Sequence, residues 1–265
     1  MNPSILSAIK QRWTPRQLPN LRIWSEADQI FGLADGAAVA SVPDLSGRGN
    51  HWVQAVGANQ PAWTLSGLNG KPVLQFTHTG GADGHWLTSP YSPANESADS
   101  VSFAAVFHTN NSADSEIMLW AGASTGNGFG TEDEISLSLG DASLGNLIAT
   151  AYGGSSQLPE ASISGFNDNS GFHIAIGTFD NATSDVATKN VTIFLDGVIG
   201  TPASGTTTNN YANYEANTFW GKPDASGTIT RVWNGDMAAC VVCAAALTEA
   251  DRYRLYDYWK RKYIL

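Results

Sequence analysis

The sequence predicts an all-β fold, a sandwich of antiparallel sheets, and three observations support this class. Only 14% of the 265 residues are charged, whereas 27 are glycine, a composition typical of short strands joined by many turns. Apolar residues make up 42% of the chain, which is enough for a hydrophobic core. Several segments alternate apolar and polar residues with the period of two that strands have. All-β sandwiches often reach this length undivided, so we expect one domain.

Segments in the middle of the chain give the strand predictions. Every second residue is apolar from Val101 to Phe107, and residues 134–139 repeat this alternation. Residues 172–179 and 191–195 are apolar on both faces of an extended chain, which is typical of central strands. We therefore expect a strand in each of these four segments.

A turn and a loop follow the last of these segments. Asp196 and Gly197 stand between two apolar runs, and both residue types tolerate positive φ, so they predict a two-residue β-hairpin. Residues 200–218 are polar and dotted with aromatic side chains, which predicts a long loop at the rim of the sandwich. Tyr211 and Tyr214 lie in this loop and are our candidates for exposed ligand or partner contacts.

The first twenty residues are predicted to form an arm outside the β domain. Residues 4–12 can make one or two helical turns, and Pro15 and Pro19 then interrupt the chain before the first strand. We place the arm at residues 1–20 and the β domain at residues 21–265. The arm has four large apolar side chains, Ile5, Leu6, Ile9 and Trp13.

The end of the chain predicts a single helix. Thr248 can cap its N-terminus, and acidic residues in the first turn with basic residues in the last turn match the helix dipole. Leu255, Trp259 and Tyr263 recur every four residues and form one apolar stripe. This stripe can pack on the sandwich or on a partner protein.

Charge and hydropathy argue against some functional classes. The net charge of −10 argues against a nucleic-acid-binding surface. No run of about 18 apolar residues is present to span a membrane, and residues 1–13 lack the apolar run of a classical secretory signal. Residues 23–246 hold 21 acidic and five basic side chains. Such an acidic body with basic ends can dock on an acidic neighbour, although terminal Lys and Arg that only solvate the ends explain the pattern equally well.

Cys240 and Cys243 are the only cysteines of the chain. Their spacing is that of redox and zinc motifs, but no second pair of ligands accompanies them. On an extended strand, residues three apart face opposite sides. We therefore expect two reduced, buried thiols that do not contact each other.

The segment D-L-S-G-R-G-N, residues 44–50, is a compact polar turn between apolar neighbours. Side-chain oxygens can accept hydrogen bonds from nearby backbone N–H groups, and glycine allows positive φ, so the segment predicts a tight structural corner. The residues of this structural turn are Asp44, Ser46, Gly47, Gly49 and Asn50. The same oxygens admit a second interpretation, a calcium site with Asp44 and Asn50 among its ligands. Ca²⁺ takes about six to eight oxygens, however, and this segment offers one carboxylate.

No motif in the chain predicts an enzyme. Glu132, Asp133 and Glu134 are consecutive, so at most two of them share one face of a strand, and residues 135–139 contain no further acid. Retaining glycoside hydrolysis needs two carboxyl groups about 5–5.5 Å apart. A nucleophile elbow, a P-loop and a dinucleotide fingerprint are also missing from the sequence. We therefore predict a protein without catalytic residues.

Three blocks of sequence, in this order, resemble a known family of modules. The first covers residues 21–63 and places Trp24 ahead of the D-L-S-G-R-G-N turn. The second, residues 68–90, contains N-G-K-P-V, and the third, residues 232–265, leads from G-D-M-A into L-T-E-A-D-R. Together they resemble the concanavalin A-like, laminin-G-like jelly-roll modules of bacteriophage virion proteins and bacterial surface proteins, over roughly residues 18–265.

This resemblance implies a concanavalin A-like jelly-roll sandwich in a non-enzymatic virion structural protein, either a capsid decoration or a tail-associated or fibre protein. It implies a location on the virion surface, a homo-oligomer such as a trimer, and adhesion to the host surface as a use of the displayed domain. The arm would dock the domain to capsid or tail through Ile5, Leu6, Ile9 and Trp13. The fold hosts many functions, so two alternatives stay open. One is a carbohydrate-binding module for surface polysaccharide, extracellular or on a cell surface, and the less favoured one is a glycan hydrolase.

Overall fold

The computed structural model describes residues 12–77, 84–93, 100–110, 116–122, 134–139, 146–153, 156–164, 166, 171–180, 188–206, 218–221 and 233–265. Its strands are, in chain order, β1 (Leu21–Glu26), β2 (Ala37–Ala38), β3 (Ser41–Val42), β4 (Trp52–Val53), β5 (Ala62–Leu68), β6 (Lys71–Phe76), β7 (Leu87–Ser89), β8 (Val101–Thr109), β9 (Glu116–Gly122), β10 (Glu134–Leu139), β11 (Leu147–Gly153), β12 (Ser156–Ile163), β13 (His173–Asp180), β14 (Thr188–Leu195), β15 (Val198–Ile199), β16 (Ala203–Thr206), β17 (Thr218–Trp220) and β18 (Gly235–Cys243). Short 3-10 helices cover Pro15–Gln17, Ala27–Gln29 and Gly57–Asn59, and the α-helix α1 covers Glu249–Tyr263.

The strands form two antiparallel sheets. Sheet A has ten strands in the main order β15-β14-β13-β8-β18-β6-β5-β2, with β1 also beside β18 and β16 also beside β14. Sheet B has eight strands in the order β12-β11-β10-β9-β17-β7-β4-β3. Many neighbours in space are distant in sequence, as expected of a jelly roll. The predicted all-β jelly-roll sandwich with one C-terminal helix is therefore confirmed.

Two hydrophobic cores lie on the two faces of sheet A. The sandwich core fills the space between the sheets, and its largest members are Trp52, Trp63, Phe76, Phe103, Phe107, Phe179, Trp220 and Trp233. The helix-side core lies between the outer face of sheet A and α1. Sheet A is thus buried on both faces over its central strands. Burial of apolar area on two faces explains why these strands lack a strict alternation of apolar and polar residues.

Strand β8 shows both environments side by side. Phe103 and Phe107 contact the sandwich core, whereas Ala104 and Val106, which alternate with them, belong to the helix-side core. The neighbouring strand β13 behaves in the same way, because seven of its eight residues are buried. The strands predicted at residues 101–107, 134–139, 172–179 and 191–195 correspond to β8, β10, β13 and β14 and are confirmed.

The predicted hairpin at Asp196 and Gly197 joins β14 to β15. Asp196 has a φ of 48° and Gly197 a φ of 94°, so both turn residues adopt the positive φ that a tight two-residue turn demands. The Asp196 carboxylate also accepts hydrogen bonds from the backbone N–H of Ile174 (2.8 Å) and from Nδ1 of His173 (2.6 Å). These bonds hold the turn against β13, and the hairpin prediction is confirmed.

The long loop predicted at residues 200–218 is wrong in part. Residues 203–206 form β16, which pairs with β14, and Thr201 makes a bridge to Ser162 of β12. The polarity of these side chains suggested a loop, but backbone N–H and C=O groups pair with a neighbouring strand whatever side chains they carry. Tyr211 and Tyr214 lie outside the described residues.

Helix α1 begins where the sequence predicts. The Thr248 hydroxyl caps it by accepting a hydrogen bond from the backbone N–H of Asp251 (3.2 Å). Leu255, Trp259 and Tyr263 are all fully buried in the helix-side core, so the apolar stripe packs on sheet A of the same chain. Within the described part of the chain, no helix is long and apolar enough to cross a membrane.

The two cysteines lie on opposite faces of β18. Cys240 is fully buried in the sandwich core and Cys243 in the helix-side core, and both are free thiols. Burial raises the pKa of both thiols above its ordinary value, so neither forms the reactive thiolate at neutral pH. The prediction of two separate, buried, reduced cysteines is confirmed.

The described part of the predicted arm packs on the domain. The Trp13 ring stands edge-on to the ring of Tyr258 in α1, with centroids 6.0 Å apart. Leu18 is 5% exposed and belongs to the helix-side core. The other three candidate docking residues, Ile5, Leu6 and Ile9, lie outside the described residues. Docking through the arm stays a prediction.

Candidate functional site

The polar turn at residues 44–50 is a corner fastened to β1. Its centre is the Asp44 carboxylate, which is 9% exposed. Oδ1 accepts hydrogen bonds from the backbone N–H groups of Trp24 (3.1 Å) and Ser46 (2.8 Å). Oδ2 accepts from the Ser46 hydroxyl (2.7 Å) and from the backbone N–H of Asn50 (3.0 Å). One carboxylate thus joins both ends of the turn to the first strand.

The contacts of the corner are those of a structural turn. Both carboxylate oxygens of Asp44 already accept hydrogen bonds, and the Asn50 side chain donates from Nδ2 to the carbonyl oxygen of Arg22 (3.0 Å). Gly47 and Gly49 have φ values of 89° and 78°, as the structural interpretation requires. The described residues contain no group of three or more His, Cys, Asp or Glu that could hold a metal ion. The geometry supports the structural interpretation.

Replacement of Asp44 by asparagine separates the two interpretations of the turn. We expect Asp44→Asn to lower the free energy of unfolding by about 2 kcal/mol. The amide NH₂ group of Asn replaces one carboxylate oxygen, so the groups that donated to that oxygen lose their acceptor. Urea denaturation measures this change, and Asp257→Asn, at an exposed position on α1, is the matched control. We also expect Ca²⁺ and EGTA to give the wild-type protein the same Tm. A rise in Tm with Ca²⁺ that disappears in Asp44→Asn would contradict the structural assignment.

The acidic run considered for catalysis is only partly described. Glu132 and Asp133 lie outside the described residues, and Glu134 is the first residue of β10. The backbone partners of Glu134 are Gly122 and Tyr152, so no acidic residue pairs with it across the sheet. The prediction that the chain lacks catalytic residues remains a prediction.

A cavity of about 530 Å³ opens on the outer face of sheet A, beside the end of α1. The described lining comes from four parts of the chain: the β5–β6 hairpin, the paired strands β8 and β18, the two residues before β13, and Leu265 after α1. The lining side chains include those of Leu68, Asn69, His108, Phe172 and Asp236. We call this site the Asp236 cavity.

Strand register brings the polar residues of the Asp236 cavity together. Asp236 of β18 pairs with His108 of β8 on one side and with Gln75 of β6 on the other. Phe107 and Met237, the next residues along these strands, are buried in the sandwich core. Because successive side chains of a strand point to opposite faces, His108 and Asp236 face the outer side of sheet A.

The carboxylate of Asp236 is the main electrostatic feature of the cavity. Its side chain is 18% exposed, and Oδ2 lies 3.8 Å from Nδ1 of His108. Desolvation raises the pKa of Asp236, and the neighbouring His108 and Gln75 side chains oppose this rise without reversing it. Oδ1 is buried and accepts no hydrogen bond from any described residue. Because Oδ1 has almost no accessible surface, the exposed part of the Asp236 side chain does not include this atom.

Apolar groups and a tight turn form the rest of the wall. The Phe172 ring packs on the His108 ring, with centroids 5.4 Å apart and planes 33° apart, and Leu68 is 4% exposed below them. Asn69 takes a φ of 47° at the turn between β5 and β6, and its amide nitrogen donates to the carbonyl oxygen of Tyr263 (2.8 Å). This bond ties the hairpin to the end of α1 and gives the cavity a fixed rim.

Sequence reasoning did not find the Asp236 cavity. It used the G-D-M-A segment around Asp236 only for the family resemblance. Phe172 entered only as the start of a central strand. His108, Phe172 and Asp236 meet because β8 pairs with both β13 and β18, and no local pattern reports such pairing. A polar residue inside an otherwise apolar strand, such as Asp236, was the available signal.

The fold is similar to that of several solved structures. A Trypanosoma rangeli sialidase in complex with a difluoro-KDN compound matches with a TM-score of 0.59 and 13% identity, over 92% of this chain and 33% of that one. The binding domain of botulinum neurotoxin DC matches in two complexes, each at 12% identity over 90% of this chain and 51% of that one. Its complex with rat synaptotagmin II gives a TM-score of 0.55, and its complex with SialylT gives 0.54.

These likenesses establish the fold. The chain spans about half the length of the toxin binding domains and a third of the sialidase. No family model and no curated protein matches the sequence. The β-sandwich predicted from the sequence is therefore confirmed, whereas the finer resemblance to phage virion modules stays a prediction.

Proposed function

We propose that this protein is a carbohydrate-binding β-sandwich and that a sugar binds in the Asp236 cavity. One observation carries the proposal: a partly desolvated carboxylate and an aromatic ring converge in one cavity whose rim is held by the hydrogen bond from the Asn69 side chain to the Tyr263 carbonyl oxygen. A carbohydrate-binding module is one of the two alternatives that the sequence leaves open, and the chemistry of the cavity supports it.

The chemistry of the cavity suits a sugar ring. A pyranose has an apolar C–H face and a rim of hydroxyl groups. The ring of Phe172 offers an apolar surface for the first, and the Asp236 carboxylate, whose side chain is 18% exposed, offers an acceptor for the second. The volume of about 530 Å³ is typical of small-ligand pockets, which are mostly apolar with a few polar groups that fix orientation.

The solved structures of similar fold support a binding role by analogy. Two of them are described as binding domains of botulinum neurotoxin DC, one in complex with SialylT. The sialidase was solved with a nononic acid compound. Since a fold hosts unrelated functions, this analogy adds to the chemistry of the cavity and does not replace it.

A glycan array with the intact chain tests the proposal. We expect binding to at least one glycan, and we expect Phe172→Ala to weaken it by about tenfold or more, because the sugar loses its apolar platform. Asp236→Ala is expected to weaken it at least as much, because a ligand hydroxyl then loses a charged acceptor. Titration calorimetry with the best glycan measures both changes.

Two substitutions distant from the cavity serve as matched controls. Phe31→Ala removes an aromatic ring that is 80% exposed on a loop, and Asp257→Ala removes an exposed carboxylate of α1. Both are expected to keep wild-type affinity. Circular dichroism shows that each variant is folded before binding is compared. No binding to any glycan, or equal binding by Phe172→Ala and Asp236→Ala, would refute the proposed function at this cavity.

The virion role predicted from the resemblance is compatible with a sugar-binding domain, since adhesion to a host surface is one use of such a domain. Residues 1–20 would then position the domain, and the sheet face with the Asp236 cavity would meet the glycan. Deletion of residues 1–11 tests this arrangement. The truncated protein is expected to bind glycans normally and to lose its association with particles.

A further inference from the structure

We propose, building on the proposed function, that the Asp236 cavity selects uncharged sugars and rejects sugars that carry a carboxylate, such as sialic acid. The proposal names the class of glycan that the site takes. It rests on the donor and acceptor groups of the cavity and on the signs of the charges around it.

The Asp236 side chain favours ligands that carry hydrogen-bond donors. An ionised carboxylate is an acceptor only, and the Asp236 side chain, which is 18% exposed, lines the cavity. Sugar hydroxyl groups can donate to this carboxylate, whereas a ligand carboxylate would bring a second acceptor and a second negative charge.

The charges around the cavity are unfavourable for a carboxylate. Proteins that recognise carboxylates use Arg, Lys or groups of N–H donors. Among the described residues that line the Asp236 cavity there is neither Arg nor Lys. The His108 imidazole already has the Asp236 carboxylate beside it, with Nδ1 3.8 Å from Oδ2. The net charge of the whole chain, −10, adds a further unfavourable field for an anionic ligand.

Gly171 lies beside Phe172 at the mouth of the cavity, and a Cβ atom built on Gly171 would meet no atom within 4 Å. The mouth is therefore open next to the aromatic ring, so that a sugar can enter with its apolar face on Phe172. In this pose the hydroxyl edge of the ring points toward Asp236. The same pose would bring a carboxylate on that edge close to the Asp236 carboxylate.

An array that prints each core glycan with and without terminal sialic acid tests the selectivity. We expect the wild-type protein to bind the uncharged form at least tenfold more tightly than its sialylated partner. Asp236→Asn keeps the shape of the side chain and removes its charge. This variant is expected to bind the uncharged glycan at least fivefold more weakly and to discriminate less between the two forms.

The outcomes distinguish this inference from the proposed function. Preference of the wild-type protein for sialylated glycans, with loss of binding in Phe172→Ala, would overturn the selectivity and leave the sugar site in place. Absence of binding to every glycan would overturn both. Unchanged discrimination in Asp236→Asn would show that another group sets the selectivity and would also overturn the inference. Phe31→Ala is again the control that should match the wild type.

Discussion

Lys262→Met is expected to lower the free energy of unfolding by about 3–5 kcal/mol at neutral pH, because it leaves a buried carboxylate without its counter-charge. Lys262 Nζ lies 2.6 Å from Oε2 of Glu26 and 2.9 Å from Oδ1 of Asp28. The side chain of Glu26 is 2% exposed. Asp28 keeps a second cation, Lys71, at 3.7 Å, so most of the loss falls on Glu26.

The effect of Lys262→Met should depend on pH in a defined direction. Burial raises the pKa of Glu26 above its ordinary value, and Lys262 opposes this rise. A carboxyl group whose pKa is raised in the folded state is most favourable to folding below its unfolded pKa, and this benefit is lost as the pH rises through the folded pKa. Without Lys262 the folded pKa rises further. The destabilisation should therefore be largest near pH 8 and shrink on acidification toward pH 5.

A second substitution checks the cause of the destabilisation. In the double variant Glu26→Gln/Lys262→Met the charges of Glu26 and Lys262 are both removed, and most of the lost stability should return. Urea denaturation of the wild type and the variants at three pH values measures these differences. Arg261→Met, at the neighbouring exposed position, is the control for loss of a basic residue near the helix end. Equal stability of Lys262→Met and wild type at pH 8 would show that Glu26 does not need this partner.

Trp259→Ala is expected to cost about 4 kcal/mol of folding free energy, in the range of other buried Trp-to-Ala changes. Trp259 is fully buried in the helix-side core, where α1 covers the outer face of sheet A. Its loss leaves a large cavity against buried residues of the central strands, such as Val106 and Ile176. Chemical denaturation gives the change in free energy, and Asp257→Ala, on the exposed side of α1, is the matched control.

The outcome for Trp259→Ala also shows whether α1 stabilises the domain or leaves its apolar stripe for a partner protein. A loss of about 4 kcal/mol in the isolated chain means that α1 is part of the domain, as its packing on sheet A shows. A loss below about 1 kcal/mol would contradict this role. It would mean that the apolar stripe contributes little within the chain, the result that packing on a partner protein would give.

Residue patterns predicted those parts of the fold that local chemistry controls. The turn at Asp196 and Gly197 needs positive φ, and both residue types tolerate it, so the sequence predicts the turn directly. The stripe of Leu255, Trp259 and Tyr263 has the spacing of one helix face. Each of these features involves neighbours in sequence, so a short window of residues contains all the information that defines it.

The parts that sequence reasoning missed depend on pairing between distant segments. Residues 203–206 form a strand because their backbone pairs with β14, and their own side chains do not indicate this pairing. Asp236 and His108 face one cavity only because β8 and β18 are adjacent in sheet A. The candidate site therefore could not be located before the strand order was known, although the fold class could.

The pairing of β1 with β18 has a consequence for how the chain reaches its folded state. Leu21 pairs with Cys243, and Glu26 at the end of β1 is neutralised by Lys262 of α1. Sheet A therefore pairs the first described strand of the chain with the last one. Contacts of such high sequence separation form slowly, because a long loop must close first. During synthesis, β1 and its apolar neighbours therefore lack their final partners until β18 and α1 have been made.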